Sequence, residues 1–307
     1  MEYGDPKADA EILNSAMKGK TKDEDKIIEL ITSRTNEQRQ RIKDSYNSLY
    51  NSDLIKDLQK SLSGHFQDVV VALFYTPIDY DCFQLRKAVK GLGTDEDALI
   101  EILATRSQND IEQIKVRYPE MYPGRTLVKD IEGDTSGGFK KILLALLDAK
   151  RPRNEQPDYE ECERCAKLLY ESGQSKKGDI DIFTKIFTEK SQAEFIRIAQ
   201  LYYKLTKTTL LKAVETEFSG DCKQALIGII YAMISPAEYF AKSINKAIVG
   251  LGTDNTSLIR ILITRDEIDM PQIKQFYKQL YKKDMIEDIK GDTSGKYQKI
   301  LIELASH

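Results

Sequence analysis

Histidine occurs only twice in the 307 residues, at positions 65 and 307, tryptophan is absent, and there are four cysteines. So few histidines leave none placed as a general base, and no ligand pair to complete a zinc site with Cys162 and Cys165. Cys82, Cys162, Cys165 and Cys222 are too few and too scattered for a disulfide framework in a chain this long. The CxxC at 162–165 lies in YEECERCAKLLYES, which reads as helix rather than as the strand-to-helix turn of a redox thiol, so it is assigned to helix packing. Strong charge of either sign is also missing, with 46 basic and 49 acidic residues and a net charge of −3. That balance gives no argument for nucleic-acid binding, which needs a strongly positive face, nor for attraction to anionic membranes through bulk charge alone. No run approaches the roughly 18 to 20 apolar residues of a membrane-spanning helix. The opening MEYGDPKADA has neither the basic nor the apolar region of a secretory signal. The expectation is a soluble protein made in the cytosol.

What the chain does have is a block repeated four times. Its clearest copies join GLGTD at 91–95 to GDTSG at 133–137, and GLGTD at 250–254 to GDTSG at 291–295. Asp134 follows Gly93 by 41 residues and Asp292 follows Gly252 by 40, while Arg106 and Arg265 each fall 13 residues after the same glycines. Weaker copies are MKGKT at 17–21 with SLSG at 61–64, and GQSKKGD at 173–179 with EFSG at 217–220. The loop glycines 19, 91, 178 and 250 are separated by 72, 87 and 72 residues, which suggests two pairs of units joined by a longer central connection. A period above about 70 exceeds that of common solenoids, so each unit is a small subdomain of several helices.

The second unit predicts five helices. Phe83, Leu85, Ala88 and Val89 give the first an apolar face, and Gly91 stops it. Thr94 then caps a second, with acids in its first turn and Leu99, Ile100, Ile102 and Leu103 on its buried side. A third carries Ile111, Ile114 and Val116 and should end at Tyr118 and Pro119, because proline disfavours helix at the residue before it. A short fourth covers 126–131, and a fifth starts at Ser136. Extended to four units, the fold class is all-α with about five helices per repeat. Val69, Val70 and Val71 stand in the place of a fifth helix, and that register outweighs their β preference. The segments are a tail at 1–10, repeats at 11–78, 79–149, 159–234 and 235–307, and a linker at 150–158 with charges, two prolines and no apolar residue.

Taken singly, GLGTD and GDTSG are ordinary helix punctuation. Their matched interval, and their joint preservation in the same two units, are what punctuation leaves unexplained. Glycine-rich loops can turn carbonyl oxygens to one side, and a carboxylate arriving from forty residues away would close an oxygen cage of the kind a hard cation such as Ca²⁺ prefers. Coordination left to water could be taken by a lipid phosphate.

On KGLGTDE, GDTSG, the four units with their long central connection, and the triplets TSR, TRS and TRD at Arg34, Arg106 and Arg265, the chain resembles the annexins over essentially its whole length. The resemblance implies four five-helix repeats in a curved disc, with calcium loops on the convex face that bind acidic phospholipid, chiefly phosphatidylserine. It further implies carbonyl ligands from Val89, Gly91 and Gly93 with the carboxylate of Asp134, and from Ile248, Gly250 and Gly252 with Asp292. An accessory site would use Thr94 and Glu96. The third repeat keeps Gly173, the Lys176 carbonyl, Gly178 and Glu217, one residue short, and has no tryptophan anchor. The first repeat departs: Thr21 replaces the second glycine, Lys22 the threonine and Ser61 the acid, which should abolish an ordinary calcium site. Lys20 and Lys22 could then meet headgroups directly, or simply be solvated.

Catalysis is not expected. GDTSGG at 133–138 resembles a serine-protease loop, but it is broken by Thr135 and no histidine serves it. GKT at 19–21 lacks the upstream glycine and strand of a phosphate-binding loop. The alternative is a scaffold for cytoskeletal protein, glycosaminoglycan or another similar chain, using basic stretches such as 274–283. A tail of about ten residues is short for a partner-binding helix. The expected location is cytoplasmic and peripheral on membranes when calcium rises, with release by an unconventional route as a further possibility.

Overall fold

The computed structural model describes residues 4–19, 21–149, 156–173, 178–250 and 252–307. Lys20, Lys176, Leu251 and most of the expected linker lie outside them. Among the described residues the regular structure is twenty helices and no strand. The first repeat holds α1 (Pro6–Met17), α2 (Glu24–Thr32), α3 (Asn36–Tyr50), α4 (Leu54–Ser61) and α5 (Gly64–Leu73). The second holds α6 (Pro77–Ala88), α7 (Glu96–Thr105), α8 (Gln108–Met121), α9 (Leu127–Asp134) and α10 (Gly137–Asp148). The third holds α11 (Tyr159–Gly173), α12 (Ile180–Glu189), α13 (Gln192–Thr206), α14 (Leu210–Glu217) and α15 (Gly220–Ile234). The fourth holds α16 (Pro236–Ile248), α17 (Asn255–Arg265), α18 (Met270–Tyr281), α19 (Met285–Asp292) and α20 (Gly295–Ser306). Val69, Val70 and Val71 are buried in α5, so packing decided against their β preference. No helix among the described residues is long and apolar enough to cross a membrane.

Two expectations need correction. Helix α8 runs through Pro119 to Met121, because proline so near the end removes only one intrahelical bond, to the Lys115 carbonyl, and Tyr122 N–H still reaches the Tyr118 carbonyl at 2.9 Å. The repeats also do not pair as one with two and three with four. The chain forms two compact units, one from the segment ending at Tyr80 together with Phe240–His307, the other from Asp81–Tyr239. In the first unit α2 packs on α20 and α5 on both α17 and α20, so repeat one is joined to repeat four. In the second α7 packs on α15, and α10 on α12 and α15, joining repeats two and three. The longer central interval thus bridges two repeats that share a core.

A recurring ion pair fixes the first helix of a repeat to the end of the second. Arg34 binds Asp9 through both carboxylate oxygens at 2.8 and 3.0 Å, and Arg106 binds Asp81 likewise at 2.7 and 2.8 Å. Burial works against the Arg106 charge, but Asp81 outweighs it and raises the guanidinium pKa above its usual value. Removing either partner would leave a buried charge at a cost of about 3–5 kcal/mol. In repeat three Lys190 and Glu161 meet at 2.7 Å. In repeat four the acid's place is taken by Phe240, and Arg265 lies 4.4 Å from that ring's centre while pairing with Asp269. The beginnings of the fourth helices are tied by tyrosine: Tyr46 to Asp57, Tyr118 to Asp130 and Tyr277 to Asp288. Tyr118 and Asp130 are 12 residues apart, the other pairs 11, so the extra residue of repeat two falls in the turn around Gly124. Cys162 and Cys165 are buried in α11, where burial raises both thiol pKa values, Cys165 to about 11, against any thiolate chemistry.

Gly228 sits where α15 crosses α7, and a Cβ there would come within 2.5 Å of Ile100 Cγ2. Gly228→Ala is expected to cost about 1–3 kcal/mol by overpacking, read as a lower melting temperature, with Ile100→Ala giving back part of the loss. Hydrogen bonds from Arg164 and Lys190 lower the Glu161 pKa from 4.5 to about 2. A lowered folded-state pKa contributes stability that is present above about 4.5 and lost as pH falls through about 2. Glu161→Gln is therefore expected to flatten the acid limb of a stability profile over that window, and an unchanged limb would count against the pair.

Candidate metal centre

Each candidate loop begins where the first helix of a repeat ends and closes on the N-cap of the second. In repeat two the Asp95 N–H donates to the Ala88 carbonyl at 2.9 Å, and in repeat four Asp254 to Ala247 at 2.8 Å. Between those ends Gly93 and Gly252 take φ of +87° and +89°, a conformation other residues resist, and the space a Cβ would enter at each is open. Gly91 and Gly93 on one side, and Gly250 and Gly252 on the other, thus lie on short, open turns, entered from buried Val89 and from buried Ile248, the last residue of α16. Leu92 at the first turn is fully exposed, and Val249 at the start of the other is 59% exposed.

Asp95, rather than Thr94, caps the second helix, its carboxylate accepting from Ala98 N–H at 2.9 Å. Thr94 is thereby released for another task. Its hydroxyl donates to the Asp134 carboxylate at 2.8 Å and lies 3.3 Å from the Asp134 carbonyl, joining the two motifs across forty residues. Thr253 does the same to Asp292, at 2.5 and 3.2 Å. Asp134 and Asp292 are each the last residue of an eight-residue helix, α9 or α19. The following threonine folds back to secure that end, Thr135 to the Ile131 carbonyl at 2.7 Å and Thr293 to Ile289 at 2.6 Å. The glycine after the serine opens the fifth helix with positive φ in all four repeats, at Gly64, Gly137, Gly220 and Gly295, which is why the Ser-Gly pair recurs where the acid does not. Glu96 is the first residue of α7, half-buried and two positions beyond Thr94.

In repeat three Glu217 ends α14, and its carboxylate lies against both Gly173 and Gly178. A Cβ on Gly173 would come 2.3 Å from Oε1, and one on Gly178 2.6 Å from Oε2. Burial raises the Glu217 pKa, and Oε2 is shut from solvent with no hydrogen-bond partner among the described residues. An unpartnered carboxylate oxygen held against Gly173 and Gly178 fits a cation ligand. Lys176 lies outside the described residues. Among those residues no three His, Cys, Asp or Glu side chains converge, so a cation would have to draw on main-chain oxygens. In repeat one Ser61 ends α4 in the acid's place, and Lys22 replaces the bridging threonine.

A sequence model of the annexin family matches residues 8–73, 80–146, 164–229 and 239–304. Annexin A11 of Homo sapiens is 38% identical over 301 residues, 98% of this chain. The chain spans 59% of that relative's own length. The solved structure of annexin III superposes with a TM-score of 0.96 at 34% identity, covering 100% of this chain and 95% of that one. Calcium-bound annexin (Sm)1 superposes at 0.88 with 31% identity, covering 99% and 90%. With four repeats matched and one relative's backbone followed along the entire chain, this protein belongs to the annexin family.

Proposed function

We propose that this chain binds acidic phospholipid membranes, phosphatidylserine among them, when calcium rises, through the loops of repeats two and four with a contribution from repeat three. Calcium-dependent phospholipid binding is the general property of the annexin family. The observation that carries the reading for this chain is the threonine bridge: Thr94 to Asp134 and Thr253 to Asp292 hold a carboxylate beside a carbonyl-rich turn. In this reading Val89, Gly91, Gly93 and Asp134, and Ile248, Gly250, Gly252 and Asp292, are the ligand sets, and Gly173, Lys176, Gly178 and Glu217 form the third. Bound calcium supplies a positive centre with coordination positions to spare for a lipid phosphoryl oxygen. In this reading Leu92 and Val249, exposed at the turns, would meet the acyl boundary. Calcium and lipid each raise affinity for the other, and several weak loops act together. The chain does no catalysis in this reading, and it moves between cytoplasm and membrane surface.

Asp134→Ala combined with Asp292→Ala should remove most calcium-dependent co-sedimentation with phosphatidylserine vesicles, leaving at most the share of repeat three, while the fold survives. Calcium-dependent binding that is undiminished without both aspartates would count against this reading and favour a protein or glycosaminoglycan scaffold. Thr94→Val removes a support of the ligand rather than a ligand, so calcium affinity at that loop should fall about tenfold by isothermal titration. An unchanged affinity would assign Thr94 to packing alone.

A further inference from the structure

The first repeat's loop keeps the common closure: Asp23 N–H donates to the Ala16 carbonyl at 3.0 Å, as Asp95 does to Ala88 and Asp254 to Ala247. That bond fixes the register. Lys22 stands where the other loops have Thr94 and Thr253, and Met17 and Gly19 stand where they have Val89 and Gly91, or Ile248 and Gly250. The Lys22 side chain turns back into its own loop, and its ammonium donates to the Met17 carbonyl at 2.6 Å and the Gly19 carbonyl at 3.1 Å. Two of the three oxygens that the other loops would offer a metal are here already bound to a cation.

Charge and valence carry the comparison further. A calcium ion with one aspartate has a formal charge of +1, and a lysine with Ser61 in the acid's place has the same. An ammonium has three donors, and only two are used within this loop among the described residues. Two acids of the adjoining segment have other partners: Asp23 accepts from Lys26 N–H, and Asp25 binds Lys296 and Lys299. Lys18, whose ammonium lies 5.7 Å from the centre of the Tyr50 ring, adds positive charge at the end of α1.

We propose that Lys22 is a built-in cation, and that the first repeat binds a phosphoryl oxygen without calcium. This stands apart from the calcium-dependent reading of the other loops, since it asks nothing of Asp134 or Asp292. The test uses the full chain in EGTA at low salt, with vesicles of phosphatidylserine or of phosphatidylcholine. Native protein should bind the acidic vesicles preferentially, and Lys22→Met should weaken that binding about fivefold, the effect of one lysine near an anionic surface. Lys22→Met should weaken calcium-free binding by the same factor in the Asp134→Ala, Asp292→Ala background, so failure of one proposal leaves the other standing. Titration with inorganic phosphate separates the sources: Lys22-dependent heat without vesicles identifies free phosphate as a ligand, and a Lys22 effect seen on vesicles alone identifies the headgroup. Native protein that shows no preference for acidic vesicles without calcium, or a Lys22→Met chain that binds as native, would overturn the proposal. The reciprocal variant Thr21→Gly, Lys22→Thr, Ser61→Asp should add one calcium to the stoichiometry measured by titration, and no gain would show that the ammonium does not stand in the metal's place.

Discussion

The hydroxyl of Thr94 on the carboxylate of Asp134 is the contact toward which the rest of a repeat is arranged. It joins the loop after a first helix to the end of a fourth, and those two points are brought together by everything between them. Arg106 on Asp81 holds the end of the second helix against the first, and Tyr118 on Asp130 anchors the fourth near its start. The Ile131 carbonyl, capped by Thr135, then sets where the last turn places its acid. Because α9 and α19 are both eight residues long, Asp134 and Asp292 emerge at the same point relative to their loops.

Compared across the repeats, the four loops solve one electrostatic problem in different ways. Repeats two and four keep a carboxylate steadied by a hydroxyl. Repeat three keeps a longer acid, Glu217, whose buried oxygen lacks a partner among the described residues. Repeat one drops the acid and brings its own positive charge on Lys22. A carbonyl-lined turn concentrates negative potential, and either a captured ion or a resident ammonium can answer it.

Much of this was legible in the sequence because it repeats. The matched intervals of 41 and 40 residues, with glycines at both ends, mark the loops, the acids and the five-helix register. The residues that were missed are those whose meaning lies in a partner. Asp9 and Asp81 each stand ten residues before the first loop glycine, a signal that aligning the repeats could have yielded. Phe240 at the corresponding place in repeat four could not have been read as the seat of Arg265, since a ring does not advertise a cation. Thr94 reads as the helix cap in sequence because Thr and Asp both cap well, and only the position of Asp134 shows which of the two adjacent residues bridges. The pairing of repeats one with four and two with three was hidden for a different reason: connection length reports on the chain's route and not on which apolar faces meet.

The most direct test of the account is a crystal structure of the protein grown with calcium. It should show an ion bound by Asp134 beside Gly91 and Gly93, another bound by Asp292 beside Gly250 and Gly252, a third at Glu217, and Lys22 still on the Met17 and Gly19 carbonyls with no metal there. Calcium in the first loop with Lys22 displaced, or no ion at Asp134 and Asp292, would contradict it.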